Sequence, residues 1–323
     1  MAGFLLRRAL QSIAVLFVVA TLTFFLLHLA PGDPLDAIAA DVRVPPDVRE
    51  TLRQLYGLDK PLAVQYVRHI TGVIQGQLGY STSQHQPVSD VLAQAIPNTV
   101  LLMGTALVLS FGLGIATGAL QGARVESRFD RMASAVTTTF ATLPDFWLAS
   151  GIALLFAYKL RLFPVAGMVD PTMHSLYSPA GRTIDVLRHL ALPVFSLVLI
   201  VASVVARYQR AAFLDTWHED FLRTARAAGV PWYRCVFRHA LHNALLPIVT
   251  LFGLSLPSLV GGALFVETVF AWPGIGRVAV EALALRDYSL VLGVVLAASA
   301  LVAVGGIFAD VLQAVIDPRL RRA

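Results

Sequence analysis

A chain of 323 residues that is 57% hydrophobic and only 14% charged, with a mean hydropathy of +0.70, is too apolar for an ordinary soluble domain and reads as an integral membrane protein. Its formal charge of +5 does not require nucleic acid, because a basic excess in such a chain is first explained by the loops that fix its orientation. The single cysteine, Cys235, excludes an intrachain disulfide and argues against a cysteine-rich metal site.

Crossing roughly 30 Å of hydrocarbon takes about 20 helical residues. Stretches of that length near 9–30, 97–120, 132–157, 189–211, 244–270 and 288–311 predict an all-α, polytopic fold of about six transmembrane helices forming a single transmembrane domain. The first follows Arg7 and Arg8 like a signal peptide, but its apolar run exceeds the roughly 7–15 residues of a signal core, so it is expected as a retained helix. With both termini inside, the inner segments carry Lys and Arg at about twice the density of the outer ones, which favours an N-in, C-in orientation.

After the first span, Pro31-Gly32-Asp33-Pro34 turns the chain into an extracytoplasmic insertion, 31–96. Pro46 can open a helix with Val48, Leu52, Leu55 and Tyr56 on one face. Pro61 can open another with Ala63, Val67, Ile70 and Ile74 at matching spacing. The second span carries Gly104, Gly112, Gly114, Gly118 and Gly122, small residues that mark a close helix interface in lipid. Whether that interface lies within the chain or between subunits stays open at this point.

In the third span, Pro144 is expected to kink the helix beside Asp145, a carboxylate well inside an apolar run. Such a charge costs about 2.5–3.5 kcal/mol at a helix centre on insertion scales. Asp145 therefore either lines a pathway or caps amides freed at the kink. The fourth span continues into Arg207 and Arg210 and delivers a cytoplasmic stretch, 212–243. That stretch is punctuated as two short helices: Asp215 or Thr216 to cap the first, Gly229 to end it in the left-handed conformation, Pro231 to start the second. Phe221, Ala225 and Ala228 share one face, and Trp232, Val236 and Ala240 another. So short a pair must lie on its own protein or be offered to a partner. Glu267, at the outer end of the fifth span, is a candidate gate or partner contact.

The run Arg223-Thr224-Ala225-Arg226-Ala227-Ala228-Gly229, with Arg238-His239-Ala240-Leu241 and Asn243-Ala244-Leu245-Leu246-Pro247 following, resembles the cytoplasmic coupling loop of ABC importer permeases, in the form found in dipeptide and oligopeptide permeases. The general signature places Glu at position 223, Ala at 224 and Ile at 239, and its Leu-Pro falls five residues earlier. These departures are similar to the peptide branch. Leu29-Ala30-Pro31-Gly32-Asp33-Pro34, Tyr56-Gly57-Leu58-Asp59-Lys60-Pro61, Gln77-Leu78-Gly79-Tyr80-Ser81, Glu267-Thr268-Val269-Phe270-Ala271-Trp272-Pro273-Gly274 and Asp317-Pro318-Arg319-Leu320 also resemble the family in order and spacing.

The resemblance implies a translocation subunit of a prokaryotic plasma (inner) membrane importer for peptides or similar small solutes. Its partners would be a second homologous permease, two cytoplasmic ATPases that bind ATP and Mg, an extracytoplasmic substrate-binding protein and the lipid bilayer. Phe221, Arg223, Thr224, Ala225, Ala228, Gly229 and Trp232 would form the ATPase-coupling site, with Gly229 required because a Cβ would clash with the turn. Asp145 and Glu267 would belong to the translocation pathway.

Neither Lys60 nor Lys159, the only lysines, is followed by Ser or Thr. A Gly-Lys-Ser/Thr phosphate loop is therefore missing, and an ATPase must be a separate chain. Three other classes fit less well. A DNA-binding helix-turn-helix would need a third helix and more basic residues. An intramembrane enzyme would need a base near Ser150, and no span offers a histidine well inside the membrane. An ion-coupled carrier would show paired interrupted helices and several intramembrane charges.

Overall fold

The computed structural model describes residues 2–29, 51 and 59–316, which are helical apart from connecting loops and one pair of two-residue strands. The expected 31–34 turn, the 317–320 run and the 46–57 helix, Thr51 excepted, fall outside the described residues. Among the described residues, four helices are long and apolar enough to cross a membrane, and two bent pairs meet the same test jointly, giving up to six spans. The chain divides into two compact units, Met1–Thr99 with Pro273–Val304 and Val100–Trp272 with Gly305–Ala323.

In the first unit, α1 (Ala2–Leu29) packs on α2 (Leu62–Ile74), which starts after Pro61 as its spacing predicts. Thr21 and Tyr66 share a hydroxyl hydrogen bond of 2.8 Å, and His69 stacks on Phe24 with ring centroids 5.4 Å apart. Strands β1 (Tyr80–Ser81) and β2 (Gln86–Pro87) pair antiparallel and lead into α3 (Val88–Ala123). The turn between them is held by Asp287, whose Oδ2 accepts the Ser81 and Ser83 hydroxyls at 2.6 and 2.8 Å. Its Oδ1 accepts the Leu290 N–H at 3.0 Å, so the same carboxylate caps α11 (Tyr288–Ile316). Val88, Leu92 and Ala95 of α3, Ile275 and Ala282 of α10 (Ile275–Ala284), and Leu290 and Val294 of α11 form this unit's core.

In the second unit, α4 (Arg128–Thr142) and α5 (Asp145–Ile152, running on as a π-helical turn over Ala153–Lys159) turn by 107° at Leu143 and Pro144. This exceeds the expected kink. Proline forces the preceding residue into the extended region, and both residues are extended here, so the helix ends outright. Helix α6 (Pro179–Trp217) is central, packing Leu190, Leu197 and Val198 against Leu148, Ala149 and Ile152 of α5 and against the fully buried Trp272.

The glycine stripe of α3 faces α6, inside the same chain. A Cβ on Gly114 would stand 2.6 Å from Val205, on Gly118 2.4 Å from the Ala206 carbonyl, and on Gly122 2.6 Å from Phe213. Only glycine permits so close an approach. Because contact positions rise together on both helices, α3 and α6 run parallel.

Candidate functional site

Helix α6 does not stop at the expected cap. Thr216 returns its hydroxyl to the Ala212 carbonyl at 2.8 Å and remains helical, so α6 continues to Trp217. The next helix, α7 (Asp220–Ala227), begins after Glu219, which makes no side-chain cap. Asp215 and Thr216 are thus residues of the incoming rod, a correction to the capping expectation.

The end of α7 follows a defined pattern. The Val230 N–H donates to the Ala225 carbonyl at 3.1 Å and the Gly229 N–H to the Arg226 carbonyl at 3.0 Å, the paired bonds of a Schellman motif. Gly229 has φ +80°, a conformation that costs other residues about 1–2 kcal/mol. The expected steric clash is absent: a Cβ there would meet nothing within 4 Å. Glycine is needed for its backbone, not for space.

Pro231 then starts α8 (Trp232–Ala244), whose middle, Cys235–Ala240, is π-helical. Helix α9 (Leu246–Val269) follows after a 43° bend.

The hairpin of α7 and α8 has two faces. Leu222, Cys235, Val236, Ala240 and Ala244 are buried against Phe213 of α6 and Ala119 of α3, with Ala225 and Val230 half-buried beside them. Arg226 lies over the Trp217 ring at 5.0 Å and donates to the Leu222 carbonyl at 3.2 Å, clamping the turn between α6 and α7. The opposite face leaves Phe221 44%, Trp232 53%, Tyr233 54% and Phe237 59% exposed. Arg223, Thr224, Ala228 and Gly229 are exposed with them. One face of the hairpin therefore lies on its own protein, and the other is exposed.

Sequence periodicity missed Leu222, the buried anchor, and the exposed Tyr233 and Phe237. The i, i+3 relation of Leu222 to Ala225 was the available signal for the first. The π-helical turn over Cys235–Ala240, which shifts side chains off the 3.6-residue period, concealed Phe237.

Asp145 is the half-buried first residue of α5, where the helix N-terminus favours an anion. Glu267 is fully buried in α9, beside Val266 and Phe270 of the core. The two helices meet through Phe146 and Phe265, with ring centroids 6.0 Å apart, and neither acid is part of the hairpin.

Residues 110–322 match the family described as "Binding-protein-dependent transport system inner membrane component", and residues 1–103 match its N-terminal companion. The chain is 35% identical over 321 residues to the oligopeptide transport system permease protein AppB of Bacillus subtilis, covering 99% of both chains. It is 33% identical over 336 residues to the dipeptide transport system permease protein DppB of Escherichia coli, again covering 99% of each. Against the di/tripeptide transport system permease protein DppB of Pseudomonas aeruginosa it is 35% identical over 333 residues, with the same coverage. The all-α, multi-pass fold of the described residues is in keeping with these matches. The chain belongs to the family of binding-protein-dependent transport system inner membrane components, and is a permease subunit of an ATP-driven importer in a bacterial inner membrane, a transport subunit and not an enzyme.

Proposed function

We propose that the chain moves peptides or similar small solutes inward. It would pair with a second permease chain, receive its solute from an extracytoplasmic binding protein, and be driven by two ATPases that bind ATP and Mg. The hairpin of α7 and α8 is the port through which those ATPases act. The observation that carries this is the hairpin's division of labour: its small and aliphatic residues are buried on the chain itself, while Phe221 and Trp232 stand exposed on the opposite face beside Arg223, Thr224 and Ala228. Aromatic side chains left exposed as a group on a short helix pair suit insertion into a partner's groove. A drive stroke requires that the port be held differently in the two states, since equal affinity shifts nothing.

Co-expression of the chain with its ATPases tests the port. Phe221→Ala with Trp232→Ala is expected to leave the chain in the membrane and to abolish co-purification of the ATPases. Undiminished co-purification overturns the assignment.

Asp145 and Glu267 are proposed as pathway residues. Asp145→Leu should then lower uptake with little change in melting temperature. A loss of stability with normal residual uptake would assign Asp145 to the helix break alone.

A further inference from the structure

Two turns before the hairpin, α6 is fastened to α4 by a buried ion pair that the docking face does not use. Arg210 sets its Nε and one Nη on the two carboxylate oxygens of Asp130, at 2.8 and 2.9 Å, a planar fork that lysine cannot reproduce. Asp130 is only 3% exposed, and its remaining acceptor capacity is filled from its own surroundings. The Glu126 backbone N–H donates to Oδ2 at 3.1 Å and the Ser134 hydroxyl to Oδ1 at 3.3 Å.

The local sequence explains why the acid is held so firmly. Ser127 caps α4 by accepting the Asp130 N–H at 3.1 Å, and the acid three residues on reaches back past it, a variant of the capping box. The third helix joins through Gln121 of α3, whose amide donates to the Ser134 hydroxyl at 3.0 Å. Gly118 of α3 completes the junction, since a Cβ there would stand 3.0 Å from the Arg210 backbone nitrogen. Helices α3, α4 and α6 thus converge on one buried junction.

The position of this junction suggests its use. From Arg210, α6 runs unbroken to Trp217 and into the hairpin, so Arg210 and the port share one rod. From Asp130, α4 runs to Thr142, where the chain turns before Asp145. We infer that Asp130 and Arg210 form a positioning pair, a strut that makes the hairpin, α6 and the broken α4–α5 segment move together. A push on the port then reaches Asp145 instead of being absorbed between α4 and α6. The strut deepens the ATP-coupled reading and rests on it.

The test uses the complete complex, with ATPases and binding protein, in proteoliposomes carrying Arg210→Met or Arg210→Lys. Both variants are expected to assemble and to hydrolyse ATP within about twofold of the parent, while solute moved per ATP falls roughly tenfold for methionine and severalfold for lysine. A purely structural pair would lower hydrolysis and uptake in proportion, and an idle pair would lower neither; either result overturns the inference. If the methionine variant does not assemble, the lysine variant, which keeps the charge and loses the fork, decides. Failure of the underlying reading is distinguishable, because it would appear as ATP-independent uptake in the parent complex.

Discussion

Gly229, Leu222 and Trp232 do three different jobs within eleven residues of chain, and each makes a separate prediction. Gly229→Val would force a β-branched residue to φ near +80°, at a cost of about 1–2 kcal/mol, and so tilt α8 against α7. The chain should still reach the membrane while uptake is lost and ATP hydrolysis persists, as paired uptake and phosphate-release assays would show. Normal ATP-dependent uptake would contradict the coupling role. Leu222→Ala removes a side chain with 0% exposure and should destabilise the hairpin by about 2–5 kcal/mol. Trp232→Ala should change stability by no more than about 0.5 kcal/mol, as expected of an exposed residue. Thermal melting of the purified variants separates the two. The conformational need at Gly229 was legible in the sequence, because a helix end followed by Pro231 is a local feature. The burial of Leu222 was signalled only by its i, i+3 relation to Ala225, since what covers it includes Ala119 from a distant part of the chain.

His69 adds a pH dependence outside the spans. Burial between α1 and α2 lowers its pKa from the ordinary 6.5, with the neighbouring His28 acting in the same direction. A histidine whose folded pKa is depressed contributes stability above its unfolded pKa, and loses it as pH falls. Docking of α2 on α1 should therefore weaken as pH falls below the ordinary histidine value of about 6.5, seen as faster hydrogen exchange in Leu62–Ile74 after correction for intrinsic rates. Unchanged protection over that fall would refute it.

At the scale of elements, two features govern how the hairpin is held on the helices before it. The glycine stripe lets α3 lie against α6, and Gly118→Leu should push the helices apart, because even the first carbon would stand 2.4 Å from the Ala206 carbonyl. Overpacking of this kind costs about 1–3 kcal/mol or more, and should lower the melting temperature. Gly104→Leu is the control, since nothing lies within 4 Å of a Cβ at that position. Equal effects from both would remove the stripe's special standing. The existence of the stripe was visible in sequence as glycines four apart, but its partner was not, because small residues say that something comes close without saying what. The turn at Pro144 was half visible: proline announces an interruption, yet the 107° angle depends on Leu143 also becoming extended. The length of α6 was underestimated because apolar content defines a span, whereas Thr216 and Ser178 extend the helix beyond it through polar contacts.

For the whole molecule, the hairpin is proposed to join a transport subunit to separate ATPases: it presents Phe221, Trp232, Tyr233 and Phe237 exposed on one face while the other is packed on α6 and α3. Family membership along the full length agrees with a transport subunit. The class of protein was legible from composition, and the family from the run around Arg223–Gly229. The two-faced packing of the hairpin and the Asp130 junction required three dimensions, because both join residues some 80 or more positions apart. The most direct test of the central claim is to place a photo-crosslinking amino acid at Trp232 in the native complex and identify what it captures. The account predicts an ATPase subunit, with a yield that changes between nucleotide-free and ATP-trapped states. Capture only of the chain itself or of lipid, with no ATPase in either state, would contradict it.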